Sequence, residues 1–377
     1  MLAEFFMQLE KVKVAKSREE LDAIYRFRYD IYFKELHREI GGVDHDRQMV
    51  TDSDDEDPTS FHLYVGNLDN IIGTVRIMTW KADHVPEYVF KKLSMGLFDN
   101  IKQLNTAELG RFMIKPSNRG KLILPSMANG AYNFIVEEQN IDLAFLYCRP
   151  GLVNHYRRLG ARPYGGAMID APEGMEVPLV MVASDYEYYK KMKSPLASCV
   201  KKHFGPGKKP PIDISQYSQL FDDDVNPLLA DSKEVWLNIQ EHILTHPNKK
   251  NSFLDALSDK TLKKLSEFGF IMDAPAGMLI TREGHFEREI YIILDGVFEV
   301  FQGDTVLRRL SEGDVFGEVA FFHESGKRSA SVRAIEDGRI ITLRRKFLDK
   351  LSESDPKMAL NITFNLAKTL STLLSNP

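Results

Sequence analysis

Apolar positions first recur at helical spacing at Leu21, Ile24 and Tyr25, just after Ser17-Arg18-Glu19-Glu20. Ser and Glu three residues apart form a capping box, so a helix is predicted through about Lys34. The acidic run Asp52, Asp54, Asp55, Glu56 and Asp57 reads as a solvated loop. Two β-rich stretches, Phe61 to Asn67 and Ile71 to Thr79, flank a turn at Leu68-Asp69-Asn70. Leu109 to Ile114 is a third apolar segment, and it leads into Pro116-Ser117-Asn118-Arg119-Gly120. Leu124 to Gln139 reads as helix, with Met127, Ala131, Phe134 and Ile135 on one face. Ile141 to Cys148 reads as a buried strand, and Leu152 to Leu159 as a short helix closed by Gly160.

The second half is patterned differently. Phe204-Gly205-Pro206-Gly207-Lys208-Lys209-Pro210-Pro211 breaks all periodicity, and an amphipathic helix is predicted over Lys233 to Thr245. From Phe270 the chain turns to short strands between glycine turns. Glu289 to Leu294 and Val297 to Phe301 flank Asp295-Gly296, a hairpin signal. Many short strands suggest a small β-barrel or jelly roll. A last helix after Pro356 carries Met358, Ile362, Leu366, Leu370 and Leu373 on one stripe. The expected fold class is α+β: a mixed α/β domain over 1–200, a linker with a helix over 201–245, and a β-barrel with flanking helices over 246–377.

Composition narrows the function. The chain has 377 residues, 43% hydrophobic and 27% charged, which are ordinary globular values and argue against wholesale disorder. A net charge of −5 argues against a chain-wide polycation for nucleic acid. Two cysteines, Cys148 and Cys199, are too few for a disulfide scaffold or a thiolate metal cluster, so no metal is expected. No apolar run approaches membrane-spanning length and the start lacks a cleavage pattern, so the expected location is the cytoplasm.

Two segments carry candidate chemistry. A helix N-terminus just after Arg119-Gly120, with Lys121 beside it, suits a phosphate or pyrophosphate; an ordinary basic turn would look the same. Gly313-Asp314-Val315-Phe316-Gly317-Glu318-Val319-Ala320 is followed by Lys327-Arg328-Ser329-Ala330. Gly317 lets a ligand approach the main chain, and the amides after it can form an anion nest. Glu318 can accept from two hydroxyls, while Arg328 offers a fork for phosphate. An acid and a base flanking a nest suit a ribose phosphate.

The segment from Arg28 to Gly165 resembles the GNAT acyltransferase superfamily, in the branch of acyl-homoserine-lactone and N-acyl amino acid synthases. The pieces that carry it are Arg26-Phe27-Arg28-Tyr29-Asp30-Ile31-Tyr32, Asp57-Pro58-Thr59-Ser60-Phe61-His62-Leu63, Gly73-Thr74-Val75-Arg76-Ile77, Glu108-Leu109-Gly110-Arg111-Phe112 and Tyr156-Arg157-Arg158-Leu159-Gly160-Ala161. The resemblance implies acyl transfer from a thioester to an amine. Glu108 would be the base, and Tyr156 would protonate the leaving thiolate. Arg28, Asp57, Arg76 and Arg111 would be site positions that pair with acids or hold substrate. Glu108 and Arg111 could equally form a mutual ion pair, and Tyr156 could simply pack its helix. Arg119-Gly120-Lys121 would hold the donor, but Leu122 stands where many GNAT enzymes have a second glycine. That departure leaves acyl carrier protein beside acyl-coenzyme A as donor. Lys190, Lys191, Lys193, Lys201, Lys202, Lys208 and Lys209 could steer an acidic carrier or form a solvated linker.

The Gly317 to Ala330 stretch resembles the phosphate cassette of cyclic-nucleotide-binding domains of the catabolite-receptor type. By that resemblance Glu318 would hold the ribose hydroxyl, with Arg328 and Ser329 on the cyclic phosphate. Main-chain amides from Gly317 to Ala320 would complete the cradle. Arg328-Ser329-Ala330 favours cAMP, since cGMP-selective kinase domains often place Thr after the Arg. In that family the last helix covers the base and often dimerises. With Pro377 soon after it, no DNA-reading helix-turn-helix is expected. The combined expectation is a cAMP-regulated N-acyltransferase. A cAMP-regulated protein lysine acetyltransferase and a non-catalytic cAMP-dependent binding module are the rivals.

Overall fold

The computed structural model describes residues 11–36, 41–81, 84–119, 123–149, 152–165, 169–171, 174–208, 210–221, 253–254, 256–268, 270–284, 288–323 and 327–375. The amphipathic helix predicted over Lys233 to Thr245 lies outside them. The chain divides into two units, one of residues 1–148, 153–169 and 177–222, the other of 149–152, 170–176 and 223–377.

In the first unit the predicted capping box forms. The Ser17 hydroxyl accepts from the Glu20 N–H, and the Glu20 carboxylate accepts from the Ser17 N–H at 2.9 Å. Two orphan donors are thereby satisfied at the start of α1 (Arg18–Tyr29), which continues as a wider π-type turn over Asp30–Glu35. The strands are β1 (Lys13–Val14), β2 (Val43–Asp44), β3 (Met49–Val50), β4 (Ser60–Asn67), β5 (Asn70–Trp80), β6 (Thr106–Ile114), β7 (Leu143–Cys148), β8 (Ala161–Pro163), β9 (Ile169–Ala171) and β10 (Gly174–Val182). The main sheet runs β1-β4-β5-β6-β7-β10-β8, with β9 beside β10, while β2 pairs with β3 apart from it. Within that sheet β6 and β7 are parallel. Further helices are α2 (Glu87–Lys92), α3 (Ile123–Asn133), α4 (Val153–Arg158), α5 (Tyr186–Lys191) and α6 (Ala197–Phe204).

Alternation along the strands sends side chains to two cores. Met78, Trp80, Leu143, Phe145, Val180 and Val182 pack with Phe98, Tyr164 and Tyr217. The Phe98 ring makes edge contacts with Phe145, Tyr164 and Tyr217 at 5.2, 5.0 and 5.3 Å, the geometry that ring quadrupoles favour. A separate core joins Ile24, Tyr25 and Phe27 of α1 to Tyr64, Ile71 and Met113. The acidic run departs from expectation. Ser53–Glu56 is a tight 3-10 turn capped by Asp52, and Asp55 is buried. The reason is opposite charge, because buried arginines from α1 and β5 draw these carboxylates inward.

The second unit contains β11 (Phe270–Ala274), β12 (Leu279–Thr281), β13 (Glu289–Asp295), β14 (Phe298–Gln302), β15 (Thr305–Leu310), β16 (Val315–Phe316), β17 (Ser331–Ala334) and β18 (Gly338–Arg344). They form two four-stranded antiparallel sheets, β11-β18-β13-β16 and β12-β17-β14-β15. Helices are α7 (Asp259–Phe268), α8 (Glu318–Phe322), α9 (Arg345–Ser354) and α10 (Pro356–Ser375). Ile290, Ile292 and Leu294 pack with Leu262, Phe347, Leu351, Met358, Ile362 and Leu366 of the helices. Between them on β13, Tyr291 stacks on Phe316 at 4.8 Å, and Phe316 reaches Phe298 of the other sheet at 6.2 Å. This is the expected jelly-roll-like sandwich.

The hairpin predicted at Asp295-Gly296 does not form. The edges of β13 are taken by β16 and β18, and β14 pairs with β15 and β17, so the turn carries the chain between sheets. Gly296 has φ +88°, and a Cβ there would lie 2.6 Å from the Gly338 Cα, so only glycine fits.

Candidate functional site

In the first unit, cross-strand pairing aligns the candidate residues. His62 stands opposite Arg76, and Arg76 opposite Gly110. One row away Met78 pairs with Glu108, which pairs with Phe145. The acidic turn closes over the first row. Arg28 Nη1 donates to Asp55 Oδ2 at 2.7 Å, and Nη2 to His62 Nδ1 at 3.1 Å, while His62 Nε2 donates to the Asp55 carbonyl at 3.1 Å. These bonds assign a neutral imidazole. Burial, then the Arg28 guanidinium, pushes His62 down to about 4.

Arg76 Nη1 donates to Asp52 Oδ1 at 2.5 Å and Asp55 Oδ1 at 3.1 Å. Arg111 donates from Nη2 and Nε to Asp52 Oδ2 at 2.5 and 3.1 Å, and from Nη1 to the Tyr32 hydroxyl at 3.0 Å. Burial alone would raise the Asp52 carboxyl, but Arg111 and Arg76 outweigh it and hold it at about 2. Arg111 therefore pairs with Asp52 and not with Glu108 as the alternative had it. Its left-handed φ of +53° falls where the β5–β6 register slips, so a bulge turns its side chain toward Asp52. Asp57 stays local, its Oδ1 accepting from the Thr59 N–H and hydroxyl at 2.8 and 2.6 Å.

Glu108 is the last residue at which β6 and β7 pair. Beyond it β6 bulges, and a Cβ built on Gly110 would meet nothing within 4 Å, so open space lies beside the bulge. The Glu108 side chain is only 5% exposed. Its partner is one the sequence reading missed: Lys92, at the end of α2, places Nζ 3.3 Å from Glu108 Oε1. The same Nζ lies 2.8 Å from the Tyr147 hydroxyl oxygen and 4.2 Å from that ring's centre. Strand alternation puts Tyr147 and Phe145 on one face of β7, a legible signal. Nothing in the sequence ties Lys92 to either.

Tyr156 lies half-buried on α4, its ring edge-on to His155 at 6.1 Å. Arg119 is engaged. Its two Nη groups grip the Glu35 carboxylate and Nε donates to the Ile114 carbonyl at 2.9 Å. Its charge is thus answered from within the chain by Glu35. Gly120, Lys121 and Leu122 lie outside the described residues. Lys190, Lys191, Lys193, Lys201, Lys202 and Lys208 are exposed, with Lys202 on Glu137 at 3.0 Å; Lys209 is not described.

In the second unit Gly317 takes φ +87° and opens α8, whose first residue is Glu318. Arg328 is buried, donating from Nη1 to the Gly317 carbonyl at 2.8 Å and from Nη2 to the Glu289 carbonyl at 2.9 Å. A Cβ on Gly317 would sit 2.4 Å from Arg328 Nη1, so glycine and arginine are fitted to each other. The two carbonyls and the Tyr291 ring, 5.2 Å below, fix the plane of the fork. Glu318 lies 3.9 Å from Arg308 on β15. Ala320 is buried, Ala330 half-buried, and Val319 and Ser329 are exposed. Among the described residues no group of three or more His, Cys, Asp or Glu is placed to hold a metal ion, and no helix is long and apolar enough to cross a membrane.

Known proteins resemble the two units separately. Residues 23–185 match the family model of the N-acyl amino acid synthase FeeM, and residues 272–355 that of the cyclic nucleotide-binding domain. Over 112 residues, 30% of this chain and 15% of the relative, it is 28% identical to cGMP-dependent protein kinase 2 of Rattus norvegicus. Over 109 residues, 29% of this chain and 36% of the relative, it is 30% identical to the Pycsar effector protein XpPycTIR of Xanthomonas perforans. The matched stretches thus span well under two thirds of those proteins. Among solved structures, the CoA-dependent acyl-homoserine lactone synthase MesI is 18% identical, covering 53% of this chain and 98% of that one with a TM-score of 0.38. A cyclic nucleotide-binding domain from Methylobacillus flagellatus is 20% identical, covering 41% and 88%, with a TM-score of 0.33.

Proposed function

We propose, from an N-acyl amino acid synthase-type segment and a cyclic nucleotide-binding domain on one chain, that the protein is an N-acyltransferase whose activity a cyclic nucleotide controls. The observation that carries the catalytic half is Glu108, a buried carboxylate at the point where two parallel strands part beside open space. The amine nitrogen attacks the thioester carbonyl, and a C–N bond forms as the C–S bond breaks. Glu108 takes the amine's proton, and Tyr156 supplies one to the leaving thiolate. The parting strands expose room for an extended thioester arm, from acyl-coenzyme A or from an acyl carrier protein steered by the exposed lysines. Arg28, Arg76 and Arg111 act by holding the acidic turn over the site, and Asp57 by shaping the entry to β4.

The regulatory half rests on Arg328 and Gly317. The fork would meet the cyclic phosphate with Ser329, the amides from Gly317 to Ala320 would complete the cradle beside Ala330, and Glu318 would take the ribose hydroxyl. The serine after Arg328 favours cAMP. We assign the transferase to 1–200, the linker to 201–245 and the nucleotide domain to 246–377, in a chain that can pair with a second copy through α10.

Glu108→Gln keeps the side chain's shape and removes the base. Turnover with acyl thioesters and amino acids should fall about 10²–10⁴-fold, less at high pH where the amine is already neutral. Full activity of Glu108→Gln would end the base role. A wild type inert toward every donor would favour the non-catalytic binding module.

A further inference from the structure

Lys92 does something unusual for a helix-terminal lysine. Its ammonium is held at one point by a nearly buried carboxylate, by a phenol oxygen and by the face of that phenol's ring. A carboxylate supplies charge, the hydroxyl a directed acceptor, and the ring face a surface that favours cations. These are the elements of a receptor for a primary ammonium ion. They lie where β6 and β7 cease to pair, against the carboxylate to which the proposed reaction assigns the amine's proton.

We propose that Glu108 and Tyr147 form the seat of the acceptor amine, and that the Lys92 ammonium is its stand-in, displaced when the acceptor enters. This rests on the acyl-transfer reading of Glu108. The acceptor arrives as a primary ammonium, takes the position of Lys92 Nζ and loses a proton to Glu108. The neutral amine is then left facing the thioester. Lys92 is 31% exposed and sits on the last residue of a helix, so its flexible stem can swing to solvent. The seat selects protonated amines with at least two N–H bonds. A quaternary or amide nitrogen could not both donate to Tyr147 and surrender a proton to Glu108.

Removing the stand-in frees the seat, so Lys92→Met and the milder Lys92→Gln should lower the KM for glycine, phenylalanine and n-butylamine about tenfold. Tyr147→Leu, which removes both the oxygen and the ring face, should raise it by a similar factor. Lys92→Arg keeps a bulky cation in place and should not lower KM. Calorimetry of n-butylammonium chloride with each full-length variant reads the seat without turnover. Lys92→Gln should bind it more tightly than the wild type, while n-pentanol, the uncharged analogue, should show no gain. If KM rises or stays constant in both neutral Lys92 variants, or if n-pentanol gains as much as n-butylammonium, Lys92 is a fixed ion-pair partner and the proposal falls. If no donor supports turnover, the acyl-transfer reading fails by itself, and n-butylammonium binding still decides the seat.

Discussion

At the scale of single residues, the buried charges are the costly part of the design. Arg28 and Asp55 are 1% and 4% exposed, and removing one partner of such a pair costs about 3–5 kcal/mol because the other charge is left unanswered. His62 shows how finely the cluster is set. Its Nδ1 must accept from Arg28, so protonation would turn an acceptor into a donor facing a guanidinium. The folded imidazole stays neutral down to about 4, against 6.5 for a free histidine. Between those values the unfolded chain binds the extra proton. Stability is therefore full above about pH 6.5, falls as pH drops toward 4, and loses nothing further from this group below that. The slope from one such group is at most about 1.4 kcal/mol per pH unit. Asp52, held at about 2, contributes its own loss only below its ordinary value of 3.8. Glutamine offers one donor and one acceptor but no proton to gain, so urea unfolding of His62→Gln should be flatter across pH 6.5 to 4. Parallel pH curves for the two proteins would remove His62 from the acid response.

At the scale of elements, what could be read in the sequence was whatever local chemistry decides. Ser17 and Glu20 mark a helix start by themselves, and the alternation in 61–67 and 71–79 marks two strands, because capping and strand faces depend on near neighbours. The acidic run was misread because its fate depends on Arg28, Arg76 and Arg111, one of which is 59 positions distant from Asp52. Lys92 was invisible for the same reason, lying 55 positions from Tyr147. The hairpin at Asp295-Gly296 failed more instructively. The turn chemistry was right, since Gly296 does take positive φ, but strand partners are chosen by the whole sandwich. That turn yields a test. Gly296→Ala forces a Cβ into a left-handed position against the Gly338 backbone, with the Asp337 carbonyl also at 2.8 Å. We expect a loss of about 1–3 kcal/mol, the usual cost of backbone strain that cannot relax. Nucleotide affinity should change little, because Arg328 is held by Gly317 and Glu289. A variant of unchanged thermal stability would show that the two sheets can shift to admit a methyl group.

At the scale of the whole molecule, coupling requires that the nucleotide bind two states of the chain unequally, since equal affinity shifts no equilibrium. We place that difference at Arg328, the proposed contact of the cyclic phosphate. Its guanidinium is tied to the carbonyls of Gly317 and Glu289, so the proposed phosphate would meet a fork already set in orientation. If the cassette is the nucleotide site, a cyclic phosphate would bring full charge to it and share the guanidinium with the Gly317 carbonyl. Arg328→Ala should cost about 2–4 kcal/mol of cAMP binding, on the scale of truncating one partner of a buried charged contact. Glu318→Ala should weaken cAMP but hardly affect its 2′-deoxy analogue, because the lost contact is to the hydroxyl that the analogue lacks. Calorimetry with cAMP, cGMP and 2′-deoxy-cAMP separates these effects, and an acyl-transfer assay on the same preparations reads the coupling. If the nucleotide domain governs the transferase, the Arg328→Ala chain should show no change in turnover at cAMP concentrations that shift the wild type. Its response should reappear only at concentrations raised about 30- to 700-fold, the affinity loss converted at 1.4 kcal/mol per factor of ten. Unchanged cAMP affinity in Arg328→Ala would remove the cassette assignment. Lost affinity with an undiminished response of turnover to cAMP would mean that the nucleotide acts on the transferase through another site.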